Sequence, residues 1–194
     1  MAAELPTDLP IRHFRNASAW EKWLLAHPTD QGLWLKIAKK DSGVASVNYV
    51  EALDVALCHG WIDGLKRSCD EQCFLQRFTP RRPKSLWSKI NIGKVEALIA
   101  GGRMGAAGLR EVDAAKADGR WDAAYDSASR ITVPDDLAAA LKKNRKAAAF
   151  FDKLDKTNRY AVLWRVQTAK KPETRAARIA TLVAMLAKGE KIHA

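Results

Sequence analysis

Residues 61–79 read WIDGLKRSCDEQCFLQRFT and contain two runs of strand-forming residues with a polar segment between them. Aromatic and branched residues favour extended backbone, and the segment Cys69–Glu71 is typical of a turn. The pattern therefore predicts a two-stranded antiparallel hairpin over 61–79. Side chains alternate between the faces of a strand, so Phe74 and Phe78 share one face, which we expect to face the core.

Helix and strand signals continue on the N-terminal side of this hairpin. Ser18 followed by Glu21 is a capping-box pattern and predicts a helix that begins there. Apolar residues alternate with other residues over 32–40, which predicts a strand. Asn48 and Glu51 repeat the capping-box pattern and predict a second helix.

Only helical patterns follow the hairpin and the loop after it. One helix is predicted from about Asn91 to Gly101 and another over 109–119. Further helix starts are predicted at Pro134, Asn144, Thr157 and Pro172. We therefore expect an α+β fold, with a small N-terminal mixed sheet and helices followed by an all-helical C-terminal bundle. The expected domains are 1–126 and 133–194.

The chain is strongly basic. Its 33 lysines and arginines exceed its 22 acidic residues, which gives a net charge of +11. Residues 131–194 alone contain 14 basic and 6 acidic residues. Such a surface attracts nucleic acid, anionic lipid, acidic proteins and phosphorylated metabolites, although a basic surface without a specific ligand is the simpler alternative.

The sequence shows neither the pattern of a signal peptide at its N-terminus nor an apolar run long enough to span a membrane. Its three cysteines are an odd number, whereas secreted disulfide scaffolds usually have an even number. We therefore expect a cytoplasmic protein with reduced thiols and no membrane span.

Residues 78–91, FTPRRPKSLWSKIN, combine two prolines, four cations and an indole. Prolines order the backbone before a ligand arrives, and the planar forks of Arg81 and Arg82 match phosphate or carboxylate. Trp87 could stack on a ring or, alternatively, anchor the loop in the core. We expect this loop to bind an anionic group. The expected ligand-binding residues are Thr79, Arg81, Arg82, Lys84, Ser85, Trp87, Ser88 and Asn91. In the alternative interpretation, the arginines are solvated and a polar residue of the loop caps the next helix.

Three residues outside the loop are expected to support it: Glu51, Asp63 and Trp61. Asp63 would neutralise and orient a loop arginine, or simply form a turn with the glycine after it. Glu51 would act as a nearby acid, or only as the capping partner of its helix.

A second basic patch is predicted where the last helix begins. Its residues are Lys170, Lys171, Arg175 and Arg178. Arg175 and Arg178 are three positions apart and so share a helical face. The patch would bind phosphate at the helix N-terminus or form an ordinary solvated face.

Two blocks of the sequence resemble a known family. The first is GWID at 60–63 followed by TPRxPKSxWSxxN at 79–91, and the second is AKxxETRxxRI at 169–179. Both are similar to the YdeI/OmpD-associated, or bacteriocin-protection, proteins, and the likeness extends from about Trp20 to Lys188. The resemblance implies a role in protection against cationic peptides, with no agreed biochemical activity. It also implies a periplasmic location, whereas the missing signal peptide favours the cytoplasm.

Motifs for metals, cofactors and nucleophilic catalysis are weak or missing. Cys69 and Cys73 are one residue further apart than a CxxC pair, and Cys58 reads as a buried apolar residue. The chain contains no HExxH, GxGxxG or GxxxxGK[ST] motif. We assign no catalytic residue, no metal and no cofactor.

These observations favour a non-catalytic protein that binds an anionic small molecule or an acidic protein surface. The family resemblance adds a role in stress or in protection against bacteriocins. The alternative function is nucleic-acid binding, with phosphates held by Arg81, Arg82 and Lys84 while a base stacks on Trp87. A third function is an enzyme on a small anionic substrate, with Asp63 or Glu51 as base.

Overall fold

The structure, a computed structural model, describes residues 5–193. It has the predicted α+β fold, with a four-stranded mixed sheet and helices in the N-terminal part and a helical C-terminal part. The described residues form two compact units. The first comprises 5–85 and 91–122, and the second comprises 86–90 and 123–193.

The sheet belongs to the first unit. Its strands are β1 (Ile11–His13), β2 (Leu33–Ala38), β3 (Trp61–Ser68) and β4 (Cys73–Pro80), in the order β1-β2-β4-β3. β1 pairs with β2 in parallel, and the other two pairings are antiparallel. The predicted hairpin is confirmed as β3 and β4, and the strand predicted over 32–40 is confirmed as β2.

The two phenylalanines of the hairpin differ in their surroundings. Phe78 is fully buried and lies 5.7 Å from the ring of Trp20, as predicted for a core residue. Phe74 is only partly buried, and the ammonium group of Lys66 lies 4.1 Å from the centre of its ring. Phe74 is therefore a partly exposed residue that packs against a charged side chain, rather than a core residue.

The hairpin has an irregular register between Asp63 and Lys66. The side-chain amide of Gln76, which is buried, donates to the carbonyl oxygens of Gly64 at 2.9 Å and Leu65 at 3.3 Å. These bonds satisfy backbone groups that a regular ladder would have paired, so the bulge is a stable feature of the strand.

Four helices accompany the sheet: α1 (Ala17–Ala26), α2 (Tyr49–Cys58), α3 (Lys89–Ala100) and α4 (Ala106–Ala117). The capping box of Asn48 and Glu51 is confirmed at the start of α2. The one predicted at Ser18 is wrong, because α1 begins earlier and Asn16 accepts the hydrogen bond from the Ala19 amide. Asn and Ser are equally good N-caps, so two candidates this close in sequence compete.

The core of the first unit is aromatic. Trp20 stacks on Trp23 at 5.6 Å and meets Trp61 edge-on at 6.0 Å. Its indole nitrogen donates to the carbonyl oxygen of Ala52 on α2 at 3.1 Å. Helix α4 packs closely on α2, because a Cβ at Gly108 would lie 2.5 Å from the carbonyl oxygen of Cys58.

The second unit contains α5 (Asp135–Lys142), α6 (Arg145–Asp152), α7 (Lys156–Gln167) and α8 (Pro172–Ala187), close to the four predicted helices. Its core includes Leu137, Phe151, Leu163, Val166, Leu182 and Leu186. The N-cap of α7 is Asp155, whereas the sequence predicted a helix start at Thr157. In the part of the chain that the structure describes, none of the helices has both the length and the apolar character needed to cross a bilayer.

Candidate functional site

The loop after β4 begins as a tight turn. The amide of Arg81 donates to the carbonyl oxygen of Gly60 at 2.9 Å, which fixes the point where the chain leaves the sheet. The Ser85 amide then donates to the carbonyl oxygen of Arg82 at 3.0 Å, and the Ser85 hydroxyl accepts from the Arg82 amide at 3.0 Å. Lys84 lies between them with a φ of +67°, a rare conformation for a residue with a side chain. The turn is therefore held by its own hydrogen bonds before any ligand binds.

This turn forms one wall of a groove of about 560 Å³, which we call the loop groove. The other wall is the bulged end of the hairpin. The groove is lined by Ile62, Asp63, Gly64, Leu65, Arg77, Thr79, Pro80, Arg82, Pro83, Lys84 and Ser85. It thus brings together five of the predicted residues, which are Thr79, Arg82, Lys84, Ser85 and Asp63.

Arg77 is a member of the groove that sequence reasoning missed. Its guanidinium lies 3.2 Å from the carboxylate of Asp8 and 6.0 Å from the ring of Trp34. The sequence does contain a pattern that indicates this position for Arg77. Arg77 and Thr79 are two residues apart on a strand, so their side chains lie on the same face.

The two arginines of the loop have different environments. Arg82 is exposed and lines the groove, whereas Arg81 is 6% exposed and is not among the lining residues. The groove therefore presents Arg82, Lys84 and Arg77 as its cations.

Arg120 holds the loop in place through a hydrogen bond, and it was not among the residues predicted from the sequence. Its side chain is buried and donates from Nη1 to the carbonyl oxygen of Ser85 at 3.0 Å. Its Nε contacts both carboxylate oxygens of Asp118, at 2.8 and 2.7 Å. Asp118 thus balances the buried charge while Arg120 fixes the position of the turn.

Within residues 5–193, Asp63 is the one carboxylate that lines the loop groove. The hydroxyl of Tyr49 donates to its Oδ2 atom at 2.7 Å. Burial raises the pKa of the Tyr49 phenol, and the Asp63 carboxylate raises that pKa further. Tyr49 therefore stays protonated and remains a donor to Asp63 at neutral pH.

The other two expected supporting residues lie elsewhere. Glu51 accepts a hydrogen bond from the Asn48 amide at 3.2 Å, so its carboxylate completes the capping box of α2. Trp61 is buried among the aromatic residues of the core, where it contacts Trp20 and Trp23. Neither lines the loop groove.

The later part of the predicted loop lies in a short backbone ladder. Trp87 is 2% exposed, and its carbonyl oxygen accepts from the Tyr125 amide at 3.0 Å. Ser88 pairs with Tyr125 in a parallel bridge, and Lys89 contacts the Asp126 carboxylate at 2.9 Å. Asn91 is half-buried in the first turn of α3. None of the predicted residues Trp87, Ser88 and Asn91 lines the loop groove.

The predicted basic patch at the start of α8 contains two arginines with structural partners. Arg175 donates to the carbonyl oxygen of Val166 at 2.8 Å and binds the Asp136 carboxylate. The hydrogen bond from Arg175 holds the pKa of that carboxyl below its usual range. Arg178 donates to the carbonyl oxygen of Arg165 at 2.8 Å. Both arginines therefore satisfy carbonyl groups in the last turn of α7, while Lys170 and Lys171 are exposed.

Cysteines and acids do not assemble into a metal site within residues 5–193. Cys58, Cys69 and Cys73 are free thiols. Nowhere in this range do three or more His, Cys, Asp or Glu side chains meet in a group that could hold an ion.

The fold and the groove define a basic two-unit protein, with a sheet-and-helix unit that presents a cationic groove and a helical second unit. The chain belongs to the family described as a domain of unknown function (DUF8412), whose model matches residues 12–111. Residues 130–189 match the model of the bacteriocin-protection, YdeI or OmpD-associated proteins, which confirms the predicted family resemblance. The GWID and loop blocks lie in the first match and the AKxxETRxxRI block lies in the second. Comparisons with curated proteins and with solved structures found no match.

Proposed function

We propose that the loop groove binds the anionic group of a small molecule or of an acidic protein segment, without catalysing a reaction. The observation behind this proposal is the composition of the groove wall. Arg77, Arg82 and Lys84 line the groove together with Thr79 and Ser85, and among the described residues Asp63 supplies the one carboxylate there.

The charge balance within the groove favours an anion. The carboxylate of Asp63 already accepts a hydrogen bond from Tyr49. Arg77 shares its charge with Asp8, whereas Arg82 and Lys84 are exposed on the turn. Guanidinium forks and hydroxyl donors around one concavity match carboxylate or phosphate oxygens. Since the backbone of the turn is fixed by its own hydrogen bonds, little backbone entropy would be lost on binding.

At the level of the family, the match indicates a role in bacteriocin protection or stress. Direct capture of a cationic peptide by the loop groove is disfavoured, because like charges repel and the whole chain has a net charge of +11. We therefore propose that this protein contributes to protection by engaging an anionic partner, and that it does so in the cytoplasm.

The proposal is tested by removing the exposed cations of the turn. We expect Arg82→Gln/Lys84→Gln to weaken binding of pyrophosphate and of an oligoglutamate peptide at least about tenfold at low salt, because charged hydrogen bonds contribute about 1.5–3 kcal/mol each. Isothermal titration calorimetry would measure both probes. A loss confined to pyrophosphate would indicate a small-molecule site, and a loss confined to the peptide would indicate a protein-binding site.

The matched control is Arg145→Gln/Lys146→Gln, which removes the same charge from exposed positions on α6. This control should bind both probes as the parent does. Equal weakening in the two double variants would show that only net charge matters, and would refute a specific groove. Failure of the parent to bind either probe would also refute it.

A second candidate function, nucleic-acid binding, is favoured by a basic track on the same unit. A groove of about 560 Å³ is lined by Lys39, Lys40, Lys66, Arg67, Ser68 and Phe74, and in the part of the chain that the structure describes no carboxylate lines it. Arg67 also lines the neighbouring groove beside Trp34, and that groove shares Leu65 and Arg77 with the loop groove. The cations therefore follow one another across three adjacent grooves.

A single strand of nucleic acid suits such a track, because its phosphates repeat along an extended backbone. Fluorescence anisotropy with a labelled dT12 oligonucleotide should then show affinity that falls steeply with salt. We expect Lys66→Gln/Arg67→Gln to weaken oligonucleotide binding while leaving pyrophosphate binding intact. If the oligonucleotide does not bind at low salt, the track is not a nucleic-acid site.

A further inference from the structure

The second unit has a pocket of its own between α7 and α8, with a volume of about 810 Å³. It is lined by Leu86, Trp164, Arg165, Thr168, Thr174, Ala177, Arg178, Thr181, Leu182, Met185, Lys191 and Ile192. We propose that this helical-unit pocket binds an amphipathic carboxylate, that is, an organic acid with an acyl chain or aromatic ring as its body. The volume is in the range of small-molecule sites.

The wall of the pocket is apolar and adaptable. Residues Ala177, Thr181, Leu182 and Met185 recur at the spacing of one helical face, so α8 turns a continuous stripe toward the pocket. Opposite it, the half-buried Trp164 is held edge-on to Tyr125 at 5.9 Å. A flexible thioether and a fixed indole together suit an apolar chain or ring.

The cations at this pocket keep their charge available. Arg178 donates to the Arg165 carbonyl oxygen at 2.8 Å and to the Thr168 hydroxyl at 3.4 Å, and both acceptors are neutral. Arg165 donates to the carbonyl oxygen of Ala161 at 3.2 Å, which is also neutral. Arg175 provides the contrast, because it binds the Asp136 carboxylate.

The third cation, Lys191, is placed by a buried asparagine. The Oδ1 atom of Asn158 accepts from the amides of Ile192 at 3.1 Å and His193 at 2.9 Å. These bonds attach the C-terminal segment to α7 and bring Lys191 and Ile192 to the pocket. Lys191 is 3.9 Å from the Asp155 carboxylate, a distance at which an exposed ion pair contributes little.

The charge complement selects the ligand class. Among the described residues, three cations and no acidic residue line the pocket. An apolar body would pack on Trp164 and Met185, while its carboxylate would meet Arg165, Arg178 or Lys191 at the rim. A neutral apolar molecule would leave the cations unused, and a small inorganic anion would leave the apolar wall exposed. An amphipathic monoanion uses both.

The test uses dodecanoate as the probe, below its micellar concentration, with dodecanol as the uncharged comparison. We expect saturable binding of dodecanoate to the full chain and at least about tenfold weaker binding of dodecanol, because the alcohol lacks the charged hydrogen bonds. The indole N–H resonance of Trp164, assigned with Trp164→Phe, should shift on titration. Equal binding of the two probes, or an unmoved Trp164 resonance, would overturn the proposal.

Two variants locate the site. Thr181 is exposed, so Thr181→Trp should fill the pocket without disturbing the core and should reduce dodecanoate affinity at least about tenfold. Ala184→Trp adds the same ring at an exposed position of α8 outside the pocket and should leave affinity unchanged. Arg165→Gln/Lys191→Gln should weaken dodecanoate but not dodecanol. Unchanged binding in both pocket variants would place the ligand elsewhere and refute the inference.

Discussion

Replacing Arg175 with methionine should destabilise the second unit, because the side chain joins the start of α8 to two other helices. Its Nη1 atom donates to the Val166 carbonyl oxygen at 2.8 Å, and its Nη2 atom donates to Asp136 Oδ1 at 2.9 Å. A charged donor to a partly buried carbonyl contributes about 1.5 kcal/mol. The ion pair with Asp136 adds less than about 1 kcal/mol, since that carboxylate is 45% exposed and screened by solvent. We expect a loss of about 2 kcal/mol at neutral pH.

The loss should depend on pH in a defined direction. Arg175 lowers the pKa of Asp136 from its ordinary value of 3.8, so the ion pair stabilises the folded state fully above that pH. The contribution disappears as the pH falls through the lowered pKa, because the carboxyl group becomes protonated in both states. Urea unfolding of parent and variant at pH 7 and at pH 3 would measure the difference. The free energy lost in Arg175→Met should be smaller at pH 3, where only the bond to Val166 contributes in full.

Two matched variants make the result interpretable. Arg178→Met also removes a bond to a carbonyl of α7, but it has no carboxylate partner among the contacts described, so its effect should be nearly independent of pH. Lys171→Met removes an exposed charge beside the same helix and should leave stability unchanged. If Arg175→Met is as stable as the parent at pH 7, Arg175 is a solvated surface cation and our structural assignment is wrong.

Three further substitutions test helix packing, a buried hydrogen-bond acceptor and a helix cap. Gly108→Ala should destabilise the first unit by about 3 kcal/mol or more in thermal unfolding, because the new methyl group would lie 2.5 Å from the Cys58 carbonyl oxygen; a change under about 1 kcal/mol would mean that α4 can shift. Asn158→Ala should cost about 2–3 kcal/mol and increase amide exchange at 192–193, whose donors it leaves unsatisfied; unchanged exchange there would contradict this role. Asn48→Ala should cost about 1 kcal/mol through loss of the helix cap, and restoration by Asp but not by Val would distinguish capping from packing.

Local signals were sufficient where neighbouring residues decide the structure. Side-chain alternation and N-cap chemistry predict the hairpin, strand β2 and the capping box of α2, because each of these patterns lies within a short run of consecutive residues. Strand β1 was not predicted, because three exposed residues contain no periodic pattern and depend on pairing with a strand about twenty residues later. The N-cap of α1 was predicted wrongly for a different reason: Asn16 and Ser18 are equivalent capping residues, and the helix uses Asn16.

Local sequence patterns were enough to predict that a basic, proline-stiffened loop follows the hairpin and that helices fill the C-terminal part. Which cations remain accessible depends instead on how the chain packs. Arg81 and Arg82 are chemically identical neighbours, yet one is buried and the other lines a groove. Arg175 and Arg178 read as a basic patch but bind carbonyl groups of α7. A guanidinium serves equally for a ligand or for an unsatisfied carbonyl, so its role depends on which acceptor the packed chain brings within reach.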